Sequence, residues 1–147
     1  MTAHEEKARA FADHVQRLYH HLIEQYTPGV EGLSKREIEA LLFVGAHVPC
    51  VMKEIAEALH LTSSAATATV DKLIGKGLVS RFRSEADRRF VSVELTGKGQ
   101  SVYEVTLQQL CDTTDAMLGA LDETEQRDLF TLLSRIPGPA PRVDGTG

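Results

Sequence analysis

At 147 residues and 16.1 kDa the chain is about one domain long, enough to bury a core without disulfide or metal staples. Apolar residues make up 42% and charged residues 25%, which excludes wholesale disorder and low-complexity repeats, and no apolar run approaches a membrane span. The formal charge of −5, from 16 basic against 21 acidic residues, argues at first sight against a polyanionic partner. The opening Thr2-Ala3-His4-Glu5-Glu6-Lys7 runs straight into a charged helix pattern instead of a signal sequence, and only Cys50 and Cys111 are cysteines. The expected setting is the cytoplasm, with reduced thiols.

From Glu5 to Tyr26 the apolar residues Ala8, Phe11, Ala12, Val15, Leu18, Tyr19, Leu22, Ile23 and Tyr26 recur at helical spacing, predicting one long amphipathic helix that Thr27-Pro28-Gly29 breaks. Ser34 with Glu37 reads as a capping box, Leu33 and Ile38 as its hydrophobic staple, so a second helix starts there and ends before Pro49. A short third helix is predicted over Val51 to Leu59. Thr62 then caps a fourth, with Ala66, Val70 and Leu73 inward, that runs to about Lys76 and stops at Gly77.

The period changes next. Leu78 to Arg83 and Phe90 to Leu95 read as two strands of a hairpin that carries Arg81, Arg83, Arg88 and Arg89. After Thr96-Gly97-Lys98-Gly99 a second long helix presents Tyr103, Leu107, Leu110, Thr114, Met117 and Leu121 at alternating four and three residues, a stripe that wants a helical partner. Asp122 and Glu125 cap a last helix with Leu129, Leu132, Leu133 and Ile136, and residues 137–147, opening Pro137-Gly138-Pro139-Ala140-Pro141, are expected to be a disordered tail. The fold expected is mainly α with a small β-hairpin wing: a winged helix-turn-helix at about 34–96, with long helices at about 5–26 and 99–136 flanking it in a single domain.

Two helices with small Ala56 in the first, Leu61 after the turn and Val70 and Leu73 in the second form the packing skeleton of a helix-turn-helix, and an arginine-rich hairpin after them completes a winged one. The face of the second helix opposite its core stripe offers Ser63, Ser64, Thr67, Ala68 and Asp71, short groups that fit a major groove but lack the bidentate readers Arg, Asn and Gln. Direct base readout is therefore expected to be modest, with a larger share from the wing and from DNA shape. From Thr62 to Arg89 six basic residues meet three acidic ones, a local +3 that leaves −8 on the remainder, so any attraction for DNA is confined to this stretch.

Residues 52–99 resemble the core of the MarR family of bacterial transcriptional regulators. The matching residues are Ile55-Ala56, Leu59, Leu61-Thr62, Val70-Asp71-Lys72-Leu73, Lys76-Gly77-Leu78-Val79, Arg81, the wing signature Asp87-Arg88-Arg89, and then Leu95-Thr96 and Gly99. The resemblance implies a homodimer whose lobes bind a pseudo-palindromic operator, usually as a repressor released by a small, often phenolic, ligand, with no cofactor and no membrane. It maps recognition to Ser63, Ser64, Thr67 and Ala68 and minor-groove insertion to Arg89, with Asp87 orienting an arginine by a salt bridge. The full candidate DNA-binding set is Thr62, Ser63, Ser64, Thr67, Ala68, Lys72, Arg83, Asp87, Arg88 and Arg89. Two departures stand out: Ala68 replaces the long polar residue of many relatives, and His60 occupies a turn position where glycine is frequent.

Other readings weigh less. Peroxide-sensing relatives place a reactive cysteine near the start of the first helix, and none precedes Cys50 here; Cys50 itself reads as a helix-start thiol or a small buried apolar group. His14, His20, His21 and the His47/Cys50 pair form no compact ligand set, and no Gly-rich phosphate loop, nucleophile elbow or His-Glu-x-x-His helix suggests an enzyme. A winged helix used only to bind protein has no need of so many wing arginines. Tyr19, His20 and His47 fall where a cleft between lobe and flanking helices is expected, and the ligand residues stay open.

Overall fold

The computed structural model describes residues 1–26 and 32–137; the Thr27-Pro28-Gly29 break and the tail beyond Pro137 lie outside the described residues. Its elements in chain order are α1 (Ala3–Tyr26), α2 (Lys35–Ala46), β1 (Cys50–Val51), α3 (Met52–Ala58), α4 (Ser63–Gly75), β2 (Val79–Arg83), β3 (Val91–Leu95), α5 (Gly97–Leu118) and α6 (Glu123–Arg135). The strands form one antiparallel sheet in the order β1-β3-β2.

Cap chemistry starts and stops the helices much as the sequence dictates. The side chains of Ser34, Thr62, Thr96 and Asp122 each accept the backbone N–H three residues on. At the end of α4, Gly77 takes φ 73, Leu78 N–H donates to Leu73 O at 3.0 Å and Gly77 N–H to Ile74 O at 2.9 Å, the paired bonds of a Schellman turn that a side chain at Gly77 would strain.

Two expectations need correction. The third helix does not begin at Val51: Cys50 and Val51 form β1, paired with Val93 and Ser92, because β3 would otherwise present an unpaired edge beside the start of α3. The Ser34 cap is only half a box, since the Glu37 carboxylate, nearly buried, turns away to bind Lys76 Nζ, which also reaches Gly32 O at 3.3 Å. At Tyr103 the stripe of α5 finds its helical partner inside the lobe, where the ring lies against Gly45 of α2.

The core sits within the lobe. Ile38, Leu41 and Val44 from α2, Ile55 from α3, Val70 and Leu73 from α4, and Leu78, Val79, Val93 and Cys50 around the sheet are all buried, and Val102 closes the core from α5. The staple pair Leu33 and Ile38 belongs to this cluster. The flanking helices are different. α1 packs along α5, yet Phe11, Val15 and Leu18 remain exposed; α6 buries nothing, with Phe130, Leu132, Leu133 and Ile136 about half exposed. No helix among the described residues is long and apolar enough to cross a membrane.

Candidate nucleic-acid interface

The first turn of α4 is built to meet an anion. Thr62 Oγ1 takes the Ala65 N–H at 3.1 Å, the first turn holds no acidic side chain, and the amides of Ser63 and Ser64 stand at the positive end of the helix without intrahelical acceptors. Ser63, Ser64, Thr67, Ala68 and Lys72 are exposed along the same helix, while Ala66, Val70 and Leu73 anchor its other face in the core.

Opposite stands the wing. Ser84 N–H donates to Phe90 O at 3.2 Å and Phe90 N–H to Asp87 O at 3.1 Å, closing the loop. Asp87 then grips Arg89: Nε lies 3.0 and 3.2 Å from the two carboxylate oxygens, Nη2 lies 2.8 Å from Oδ2, and the Arg89 backbone N–H donates at 3.1 Å. These bonds hold the Asp87 carboxyl below its ordinary range and push the Arg89 guanidinium up. The Arg89 side chain is still 85% exposed, so its remaining donors face solvent, oriented but unspent.

Between α3, the start of α4 and the wing lies an open groove of about 670 Å³. It brings together Thr62, Ser63, Thr67 and Arg89 from the sequence-based set. Ser64, Ala68 and Lys72 lie beside it on exposed α4 positions, and Arg83 and Arg88 on the exposed wing, outside the groove's lining. Lys53 and Phe90 also line it, although in the sequence Lys53 is a lone cation in a short helix and Phe90 reads as an ordinary apolar strand position.

Charges in this region divide into two kinds. Lys76 is engaged by Glu37, Arg81 Nη1 by Asp71 Oδ1 at 2.9 Å, and Arg89 by Asp87. The Arg81–Asp71 pair joins β2 to α4, fixing wing to helix and neutralising the one acid on the outward face of α4. Lys72, Arg83 and Arg88 have no carboxylate partner among the described residues, and their charge is available to phosphates.

A second cavity, about 610 Å³, opens between α1, α2 and the end of α3, lined by Tyr19, Glu39, Leu42, Phe43, Ala46, His47, Ala58, Leu59 and His60. Tyr19 and His47 fall in it as the sequence suggested. His20 does not: it pairs instead with Glu24 along α1 at 2.8 Å. The Tyr19 hydroxyl donates to Glu39, tying α1 to α2, and that bond pushes the phenol up to about 12. His47 stacks on Phe43 with ring centroids 4.1 Å apart and places Nδ1 2.9 Å from Phe43 O.

Cys50 is buried in β1, and burial followed by the charge of Glu54 pushes its thiol up to about 11, away from thiolate reactivity. Cys111 is exposed on α5. Among the described residues no three His, Cys, Asp or Glu side chains come together as a metal ligand set.

The sequence profile of the MarR family matches residues 33–91, the stretch from the Leu33 staple to the first residue of β3. Over 106 residues, 72% of this chain and 74% of the relative, the chain is 31% identical to the HTH-type transcriptional regulator BilQ of Clostridium symbiosum. The solved structure of the transcriptional regulator BldR from Sulfolobus solfataricus is 32% identical, with a TM-score of 0.70 over 92% of this chain and all of that one. A likeness of fold extends to BpsR of Bordetella bronchiseptica, whose structure is described as explaining regulation of its DNA binding by 6-hydroxynicotinic acid. There the TM-score is 0.68 at 22% identity, over 86% of this chain and 97% of that one. With these matches on a lobe of this topology, the chain belongs to the MarR family of winged helix-turn-helix transcriptional regulators, DNA-binding proteins and not enzymes.

Proposed function

We propose that the protein is a homodimeric, sequence-specific repressor that works in the cytoplasm and is released from a pseudo-palindromic operator by a small aromatic ligand. The observation that carries the DNA reading is the convergence of Thr62, Ser63 and Thr67 with the Asp87-tethered Arg89 on one open groove. In this reading α4 enters the major groove with Ser63, Ser64, Thr67 and Ala68 toward the bases, Thr62 and Lys72 bind phosphates, and the wing follows the adjacent minor groove. Arg89 inserts there while Arg83 and Arg88 hold its walls. The exposed apolar residues of α1 and α6, Phe11, Val15, Leu18, Phe130, Leu132 and Leu133, support pairing with a second copy, which would space two lobes for successive major grooves.

Selection from random genomic fragments tests both halves of this reading. It should enrich a site with two inverted half-sites about one helical turn apart, protected by a particle of about twice the 16.1 kDa of one chain. Enrichment of no site, or of a single half-site bound by a 16.1 kDa particle, overturns it.

The cavity between α1, α2 and α3 supports the ligand reading and narrows its chemistry. A carbonyl only accepts, so His47 Nδ1 donates to Phe43 O, which leaves Nε2 as the ring nitrogen that meets an occupant. Glu39 adds a carboxylate, no Lys or Arg among the described residues lines the space, and Leu42, Phe43 and Leu59 supply apolar wall. A flat ring with a hydrogen to donate fits this lining; an aromatic carboxylate meets Glu39 with no cation to offset it. Accordingly 2-naphthol should release operator DNA and 2-naphthoate, of the same shape, should not. Equal release by the two, or release by neither, refutes that assignment.

A further inference from the structure

Among the described residues His60 alone lines both cavities, the groove facing DNA and the space between α1, α2 and α3. It sits in the turn between α3 and α4 with φ 53, the left-handed conformation that any side chain makes costly and glycine adopts freely. The turn around it is tight: His60 N–H donates to Glu57 O at 3.3 Å and Leu61 N–H to Ala56 O at 2.8 Å. A residue held in a strained conformation, with an exposed imidazole between two cavities, calls for a reason beyond turning the chain.

We propose that His60 couples the two cavities: a ligand seated between α1, α2 and α3 presses on this imidazole and, through it, displaces the start of α4 from its DNA-binding position. The inference rests on the cavity being the ligand site, as set out above. The mechanical route is short. α3 is anchored by fully buried Ile55, so a push on the turn is not absorbed there. Thr62, the N-cap of α4, lies two residues on, and Ser63 and Thr67 move with it. The Tyr19–Glu39 bond and the stacked Phe43–His47 pair stiffen other parts of the same lining, so an occupant is accommodated at the turn. By linkage the coupling is reciprocal: DNA that fixes the turn weakens the ligand by the same factor.

The test needs no identified ligand. Ala46 lines the cavity, and the chain contains no tryptophan, so Ala46→Trp fills the space with an indole whose emission reports on its own surroundings. Operator affinity is measured for the native chain, Ala46→Trp, His60→Gly and the double variant. His60→Asn repeats the cycle with a residue that also tolerates a left-handed turn but is less flexible. The cycle compares the cost of the indole with and without the imidazole, so any cost of the His60 change alone cancels. The expected result is blue-shifted indole emission in every Trp variant, operator affinity about tenfold weaker in Ala46→Trp, and less than about twofold further loss when the indole is added to His60→Gly or His60→Asn. The same tenfold loss with His60 removed overturns the coupling role and leaves the ligand cavity standing. An indole emitting as in water, or one that is seated yet leaves operator affinity unchanged in the native background, overturns the cavity reading and this inference with it.

Discussion

Arg89→Ala should weaken operator binding by about 10- to 100-fold for each lobe and lower the slope of log affinity against log salt by about one unit per lobe, without changing the melting temperature. The effect is large because Asp87 has already oriented the guanidinium through Nε and Nη2, so little side-chain entropy is left to lose when DNA arrives. It is confined to binding because the side chain is 85% exposed and packs against nothing that folding needs. Asp87→Asn separates charge from orientation. It keeps the arginine but loosens the grip, so affinity should fall by less and the salt slope should stay. The Arg89 bonds depress the Asp87 pKa, so the tether is complete at neutral pH and is lost only as pH falls through that lowered value; this pair should leave operator affinity flat down to about pH 5. Unchanged affinity and slope for Arg89→Ala in a salt titration would remove the wing from the interface.

The same wing shows how far local sequence reaches. The turn chemistry at Thr62, Gly77, Thr96 and Asp122 is decided within four residues of each position, and every one of these caps forms where the chain implies it. The Asp87–Arg89 pair is also local, two residues apart, but its salt bridge to an arginine came from the family resemblance, and the structure supplies which arginine it is. What local pattern does not carry is partner choice across the fold. Glu37 has a capping role open to it three residues away but binds Lys76, 39 residues on, because burial leaves its charge no better counter-ion. β1 is two residues long, too short to show a period, and exists only because β3 offers it an edge. Asp71 looks like an acid on a DNA face until Arg81 is seen to cover it. The second cavity depends on Tyr19 of α1, Glu39 of α2, His47 just past the end of α2 and His60 in the turn after α3, four residues that no single periodicity relates.

The charge balance changes meaning accordingly. The local +3 from Thr62 to Arg89 includes Lys76, whose partner Glu37 lies outside that stretch, and Arg81 and Asp71, which cancel. In the proposed docking the field toward DNA would come from Lys72, Arg83, Arg88 and the outer face of Arg89, within a stretch outside which the chain carries −8. Attraction is thus restricted to one orientation, and non-specific binding should be weak and steeply dependent on salt.

Gly99→Ala should cost about 3 kcal/mol, lowering the melting temperature by about 5–10 °C, although it exchanges glycine for the best helix former inside a helix. A Cβ at Gly99 would lie 1.8 Å from Leu78 O and 2.8 Å from Leu78 C, backbone atoms of a fully buried residue that no rotamer change can move. That carbonyl also accepts the Thr96 N–H at 3.0 Å, while Thr96 Oγ1 donates to Gly77 O at 2.6 Å and Lys98 Nζ to Lys76 O at 3.2 Å. The start of α5 is therefore bolted to the end of α4 and the root of the wing at one place, and an added methyl group there must break several of these bonds together. Gly97→Ala, two residues earlier in the same helix with nothing within 4 Å of its Cβ, supplies the contrast: it should be neutral or stabilise by about 0.5 kcal/mol. Since this junction joins the DNA-binding lobe to the long helices, Gly99→Ala should also weaken operator binding at temperatures where the variant remains folded. Equal melting temperatures for the two alanine variants would mean that the approach of α5 to Leu78 is looser than the structure has it, and that lobe orientation is set elsewhere.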